Sequence, residues 1–119
     1  MKRLIVALVA VLTALGLSAS VSARSSATKL NGTVGPGFTI VLKKGTARVS
    51  KLKAGQYVIV INDRSGSHNF HLKGPGVNKM TTVPGRGVQK PWVVTLRKGK
   101  YTYVCDPHAF GLKGSFTVT

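Results

Sequence analysis

The chain has 119 residues, room for one domain of ordinary size. Its 18 Lys and Arg face only two carboxylates, Asp63 and Asp106, and no glutamate, for a formal net charge of +16. That shortage argues against a paired-carboxylate acid/base enzyme, and the single cysteine excludes an internal disulfide.

Met1-Lys2-Arg3 supplies a positive start, Leu4 to Leu17 an apolar run and Val21-Ser22-Ala23 a small-residue cleavage site. This is the order of a secretory signal peptide, expected over residues 1–23 and removed at Arg24. The apolar run falls short of the roughly 20 residues a spanning helix needs, and no cysteine near the cut offers a lipid anchor. Loss of Lys2 and Arg3 leaves a net charge of about +14. The remaining basic residues are scattered singly or in pairs (Lys43-Lys44, Arg97-Lys98), so no dedicated nucleic-acid tail is present. They either solvate the surface or draw acidic partners and, weakly, anionic envelope surfaces.

Residues 24–28 read as a flexible lead-in to one domain over 29–119. From there the pattern has period two, the signature of half-buried strands. Phe38, Ile40 and Leu42 share one face, as do Tyr57, Ile59 and Ile61, then His68, Phe70 and Leu72. Trp92, Val94 and Leu96 repeat the theme, followed by Tyr101, Tyr103 and Cys105, then Phe116 and Val118. Turns at Lys44-Gly45, Ala54-Gly55, Gly74-Pro75-Gly76, Pro84-Gly85 and Lys98-Gly99 separate them. No amphipathic helix follows the leader. The expected fold is all-β, a β-sandwich of seven to eight strands whose two half-apolar sheets bury one another.

Cys105 is the chemical centre of the sequence. An odd cysteine in an exported chain is an intermolecular bridge, a reactive thiol, a metal ligand or a small buried hydrophobe. Ser67-His68 lacks a nucleophile-elbow context, and a thiol nucleophile at Cys105 has no orienting partner near His108. Metal ligation fits better. Cys105 and His108 lie three residues apart, and His68 comes from a distant strand. Two imidazoles and a thiolate in a trigonal set are the core of a type 1, or blue, copper site. Zinc accepts the same ligands but wants a fourth in a tetrahedron, for which the sequence offers no obvious donor.

From "SHNFHL" to "YTYVCDPHAFGLKGSFTV" the chain resembles the cupredoxins, the small blue copper proteins that include plastocyanin, amicyanin and azurin. The resemblance implies a Greek-key sandwich and one ion cycling between Cu(I) and Cu(II), held by His68, Cys105 and His108. It implies that Asn69 ties the two ligand segments together by hydrogen bonds and that Pro107 stiffens the ligand loop. The family's axial methionine is missing. Leu112 stands where it is expected and has no lone pair to donate, which leaves the Ser67 backbone carbonyl as a long contact on the other side.

His71 is expected to face solvent by alternation with His68. Asp106 reads as a surface carboxylate aimed away from its ligand neighbours, Asp63 as a turn residue, and Trp92 and the tyrosines as core aromatics. Ala109, Phe110 and Leu112, with Pro75, suggest an apolar docking collar around His108, unless Phe110 packs into its own loop.

The expected function is a secreted, periplasmic or extracellular, monomeric one-electron carrier. It is not an enzyme, and its redox partner carries an acidic docking surface. Two other readings stand beside it: an envelope module for copper storage, delivery or sensing, and a cationic sandwich with a vestigial site.

Overall fold

The computed structural model describes Gly16 and residues 27–119. The leader expected over residues 1–23, Gly16 apart, and most of the 24–28 lead-in lie outside the described residues. Eleven strands follow: β1 (Thr28–Val34), β2 (Ile40–Lys44), β3 (Ala47–Arg48), β4 (Lys51–Leu52), β5 (Gly55–Asp63), β6 (His71–Gly74), β7 (Val77–Met80), β8 (Gly87–Val88), β9 (Trp92–Leu96), β10 (Gly99–Val104) and β11 (Lys113–Val118). Eight are longer than two residues; β3, β4 and β8 are two-residue pairings that periodicity is too short to reveal. The one helical element among the described residues is a 3-10 turn over Asp106–His108.

The strands form two sheets facing one another as a β-sandwich. The first runs β3-β2-β1-β5, and β5 pairs on its other side with β9 along its first half and with β8 at its end. The second runs β4-β11-β10-β6-β7. Most neighbours are antiparallel, but β1 runs parallel to β5 and β11 parallel to β4, so the chain crosses between distant segments.

Alternation builds the core. On β5, Tyr57, Ile59, Ile61 and Asp63 point inward while Val58, Val60 and Asn62 between them are half-buried. Leu30, Val34 and Leu42 join them from the first sheet. Phe70 and Leu72, then Tyr101, Tyr103, Phe116 and Val118, face them from the second sheet and its approach loop. Each large side chain so buried contributes about 1.5–3 kcal/mol. Gly32 occupies an inward position of β1, and a Cβ there would come within 3.0 Å of the Phe70 ring. The missing side chain makes room for Phe70, whose ring stacks on Tyr103 at 5.3 Å and 12°.

Two tyrosine hydroxyls fasten loops to this core. Tyr101 Oη donates to backbone oxygen at Pro75 and Arg97 and accepts the Arg97 N–H at 3.0 Å. Tyr57 Oη donates to the Lys53 carbonyl at 2.6 Å.

Two expected strand faces start later than the alternation suggests: the one read from His68 becomes a strand only at His71, and the one read from Phe38 only at Ile40. Phe38 is 71% exposed, because the Gly35-Pro36-Gly37 turn delays the start of β2 to Ile40.

Candidate metal centre

One end of the sandwich gathers three segments: the turn before β2, the loop between β5 and β6, and the loop from Cys105 to Leu112. Cys105 ends the alternating run of β10 and is fully buried. Its N–H donates to the Leu112 carbonyl at 2.9 Å, and its own carbonyl accepts the His108 N–H at 3.0 Å. Pro107 sits in this 3-10 turn, where the missing N–H costs nothing because the first amides of a helix lack internal acceptors. The turn swings His108 back over Cys105.

His68 arrives from the other sheet's side and is buried. Its Nε2 lies 3.0 Å from the Gly37 carbonyl. A carbonyl can only accept, so Nε2 carries the proton and the Nδ1 lone pair is presented to the centre.

The structure therefore brings His68, Cys105 and His108 together. His68 Nδ1 and His108 Nδ1 are 3.1 Å apart, and each is 3.6 Å from Cys105 Sγ. In a triangle of those sides the point equidistant from all three atoms is about 2.0 Å from each. That matches first-row metal–imidazole bonding and comes within a few tenths of an ångström of a metal–thiolate bond. A trigonal set of two imidazoles and one thiolate suits copper in both oxidation states, the soft sulfur favouring Cu(I).

Phe38 covers this cluster from outside. Its ring stands edge-on to His108 at 4.9 Å and to His68 at 5.7 Å. Reading it as an inward strand residue missed this placement; the Gly-Pro-Gly turn beside it was the available signal.

The loops are joined by polar groups that the alternation rule misplaced. His71 does not face solvent: it is 6% exposed. Its Nδ1 meets the Asp106 carboxylate at 2.9 and 3.0 Å, and its Nε2 lies 2.6 Å from Asn78 Oδ1 on β7. Asn69, also buried, donates through Nδ2 to Asp106 at 2.7 Å and to the Thr81 carbonyl at 3.3 Å. Its Oδ1 accepts the Asp106 N–H at 2.8 Å. Asp106 is thus more than a surface carboxylate. Burial pushes its carboxyl up, but hydrogen bonds from Asn69 and His71, with the charges of His71 and Lys73, outweigh that and hold it below the ordinary range. Asp63 is the converse. One oxygen accepts the Ser65 N–H at 3.0 Å, as a turn residue should, while the other is buried without a partner. Burial raises its carboxyl above the ordinary value, against the opposing pull of the Ser65 amide, His68 and Arg86.

The remaining positions separate. Leu112 is 1% exposed and packs in the core, so it takes no part in an exposed collar. Pro75 is also removed from it, lying against Gly99 at the far end of β10. Ala109 is exposed and Phe110 is 97% exposed, which rules out Phe110 packing into its own loop. Phe38, which touches half-buried His108, and Ala109 and Phe110, which follow it in sequence, are exposed apolar groups at this end. Ser67 is exposed in the turn before His68, with its N–H on Ser65 Oγ at 3.3 Å. Met80 is 53% exposed on β7, opposite His71.

A chain of alternating strands in two sheets, carrying a buried cysteine and two histidines within bonding reach of one point, has the form of a small copper protein. Residues 41–119 match the copper binding proteins of the plastocyanin/azurin family, and the chain belongs to that family. Amicyanin-alpha of Methylorubrum extorquens is 37% identical over 70 residues, which cover 57% of this chain and 58% of that protein. The match thus spans less than two thirds of the relative's length. Among solved structures, reduced rusticyanin aligns with a TM-score of 0.49 and 20% identity, covering 80% of this chain and 82% of that one. An oxidised amicyanin variant aligns with a TM-score of 0.49 and 16% identity, covering 82% and 88%.

Proposed function

We propose that the chain is an exported type 1 copper protein that carries single electrons, with His68, Cys105 and His108 as the copper ligands. The observation that carries this reading is the triangle of two imidazole nitrogens and one sulfur around a single point. Bound copper supplies the one-electron redox chemistry. The protein's part is to hold the three donors in place: Gly37 orients His68, the 3-10 turn orients His108, and the Leu112 carbonyl anchors Cys105. Asn69 and Pro107 support that arrangement. Leu112 has no lone pair to offer a bound metal, and the Ser67 carbonyl would be the further oxygen donor. Ala109 and Phe110, with Phe38, form the apolar surface at which an electron enters or leaves through His108.

The chain acts as a monomer in the periplasm or outside the cell, and it is a carrier, not an enzyme. Its leader-like start supports export. Its positive charge supports an acidic redox partner, with only weak association to anionic envelope surfaces.

The test is addition of Cu(II) to the purified chain, followed by a visible spectrum. A strong thiolate-to-copper band, lost in Cys105→Ser, is the expected result; a colourless protein overturns the reading. Fast electron self-exchange separates a carrier from a delivery module, which instead hands its metal to an acceptor and cycles poorly.

A further inference from the structure

Two grooves of about 570 Å³ each are rimmed by three lysines; the first lies at the end of the sandwich remote from Cys105, and the second runs along β10 from Lys100 at that end toward the ligand loop. One is lined by Lys44, Lys51 and Lys53 near the start of β5. The other lies on the outer face of the second sheet, rimmed by Lys73 of β6, Lys100 of β10 and Lys113 of β11. The two are unequal in their relation to the metal centre. The second groove includes half-buried Val104, the residue before Cys105, and reaches Ala109, the residue after His108. One groove therefore touches both the ligand strand and the apolar collar.

Among the described residues none of its lysines forms an ion pair, although Lys73 lies near enough to Asp106 for its charge to act there. The chain has two carboxylates: Asp63 is buried elsewhere, and Asp106, at the groove's edge, is already held by His71 and Asn69. Among the described residues the single ion pair is His71–Asp106. Three ammonium groups around a concavity whose one carboxylate, Asp106, is already engaged leave a net positive receptor for carboxylates.

We propose that the Lys73–Lys100–Lys113 groove seats the acidic rim of an electron-transfer partner while the adjoining collar meets that partner's apolar centre. The proposal rests on the electron-carrier reading and adds to it where the partner docks. An apolar contact ringed by charge is the usual anatomy of a brief encounter, the charge setting on-rate and orientation. A partner seated here lies against both Val104 and Ala109, which flank the ligands in sequence. An anionic polymer has no need of that adjacency and would occupy either lysine groove.

The equivalence of the two grooves in size and charge provides the control. Lys73→Glu/Lys100→Glu/Lys113→Glu and Lys44→Glu/Lys51→Glu/Lys53→Glu carry the same net charge and change only exposed side chains. Cu(I)-loaded chain is mixed by stopped flow with a cytochrome c whose lysines have been succinylated, an acidic one-electron acceptor. The expected result is an electron-transfer rate about tenfold or more lower in the first variant at low salt, with most of the salt dependence gone. The second variant stays within about threefold of the parent. Equal slowing by both variants, or none by the first, overturns the proposal. If the parent exchanges no electrons, the carrier reading fails, and amide shifts of the copper-free chain on titration with the same acidic protein decide the groove alone. Shifts centred on Lys73, Lys100 and Lys113 uphold it. Shifts there with heparin but not with the acidic protein assign the groove to a polymer and overturn it.

Discussion

The His71 imidazole and the Asp106 carboxylate meet at 2.9 Å across the seam between β6 and the ligand loop. Asp106 lies between Cys105 and His108 in sequence, so a side chain that touches neither sulfur nor centre still anchors the segment carrying two of the three donors. Asn69, next to His68, holds the same carboxylate. All three donor-bearing positions are thereby tied to one polar knot.

Because these partners share one network, their losses are coupled. His71→Phe and Asp106→Asn are each expected to cost about 1 kcal/mol of stability, a modest figure because the Asp106 side chain is 41% exposed and partly screened. The double variant should lose less than the sum. A denaturant-based double-mutant cycle checks this, and strict additivity would show that the contact carries no energy.

The two carboxylates impose opposite pH dependences. Asp106 titrates lower in the folded chain than unfolded, so its contribution is present above the ordinary value of 3.8 and is lost as pH falls through the depressed folded value. Asp63 titrates higher when folded, so its contribution is full below 3.8 and is lost as pH rises through the raised value. Asp63→Asn keeps an acceptor for the Ser65 N–H and removes a buried charge. It is expected to stabilise the copper-free chain near neutral pH by about 1 kcal/mol. Melting curves should show that gain shrinking toward nothing at acid pH; a loss of stability near neutrality would refute this account of Asp63.

Leu112→Met tests the axial assignment. A thioether sulfur there would donate to the metal, and axial ligands tune the potential of such sites. The midpoint potential of the copper-loaded chain should fall, since donation favours Cu(II). An unchanged or higher value would place the Leu112 side chain away from the metal.

Tyr101→Phe should be destabilising by about 1–2 kcal/mol without altering the visible spectrum. Its hydroxyl serves the Arg97 amide and backbone oxygen at Pro75 at the end of the sandwich remote from Cys105. Urea midpoints and absorption spectra of the same samples separate the two effects.

The strand pattern was legible where strands were long. Tyr57, Ile59 and Ile61 alternate because β5 is paired on both sides and buried on one face. Alternation failed from His68 to Leu72, where five consecutive residues are buried. That stretch enters β6 only at His71, and the ligand loop covers the side that would otherwise meet water. A rule that assumes one wet face had no means of burying His71. Pro75 was misplaced for a different reason. Pairing of His71 with Val104 and Lys73 with Thr102 runs β6 away from Cys105, a long-range register invisible in local spacing. The Cys-x-x-His spacing was readable because both residues lie within one short loop.

That loop is closed on itself. The last β10–β11 pair is Val104 with Lys113, and just beyond it the Cys105 amide clasps the Leu112 carbonyl. Within the clasp, backbone amides of His108, Gly111 and Leu112 bond to oxygens of Cys105 and His108. The strands of the sandwich thus hold the loop's backbone at two fixed posts. Between the posts Asp106 ties the loop to Asn69 and His71, while exposed Ala109, Phe110 and Gly111 are the positions that can change with the frame left as it is.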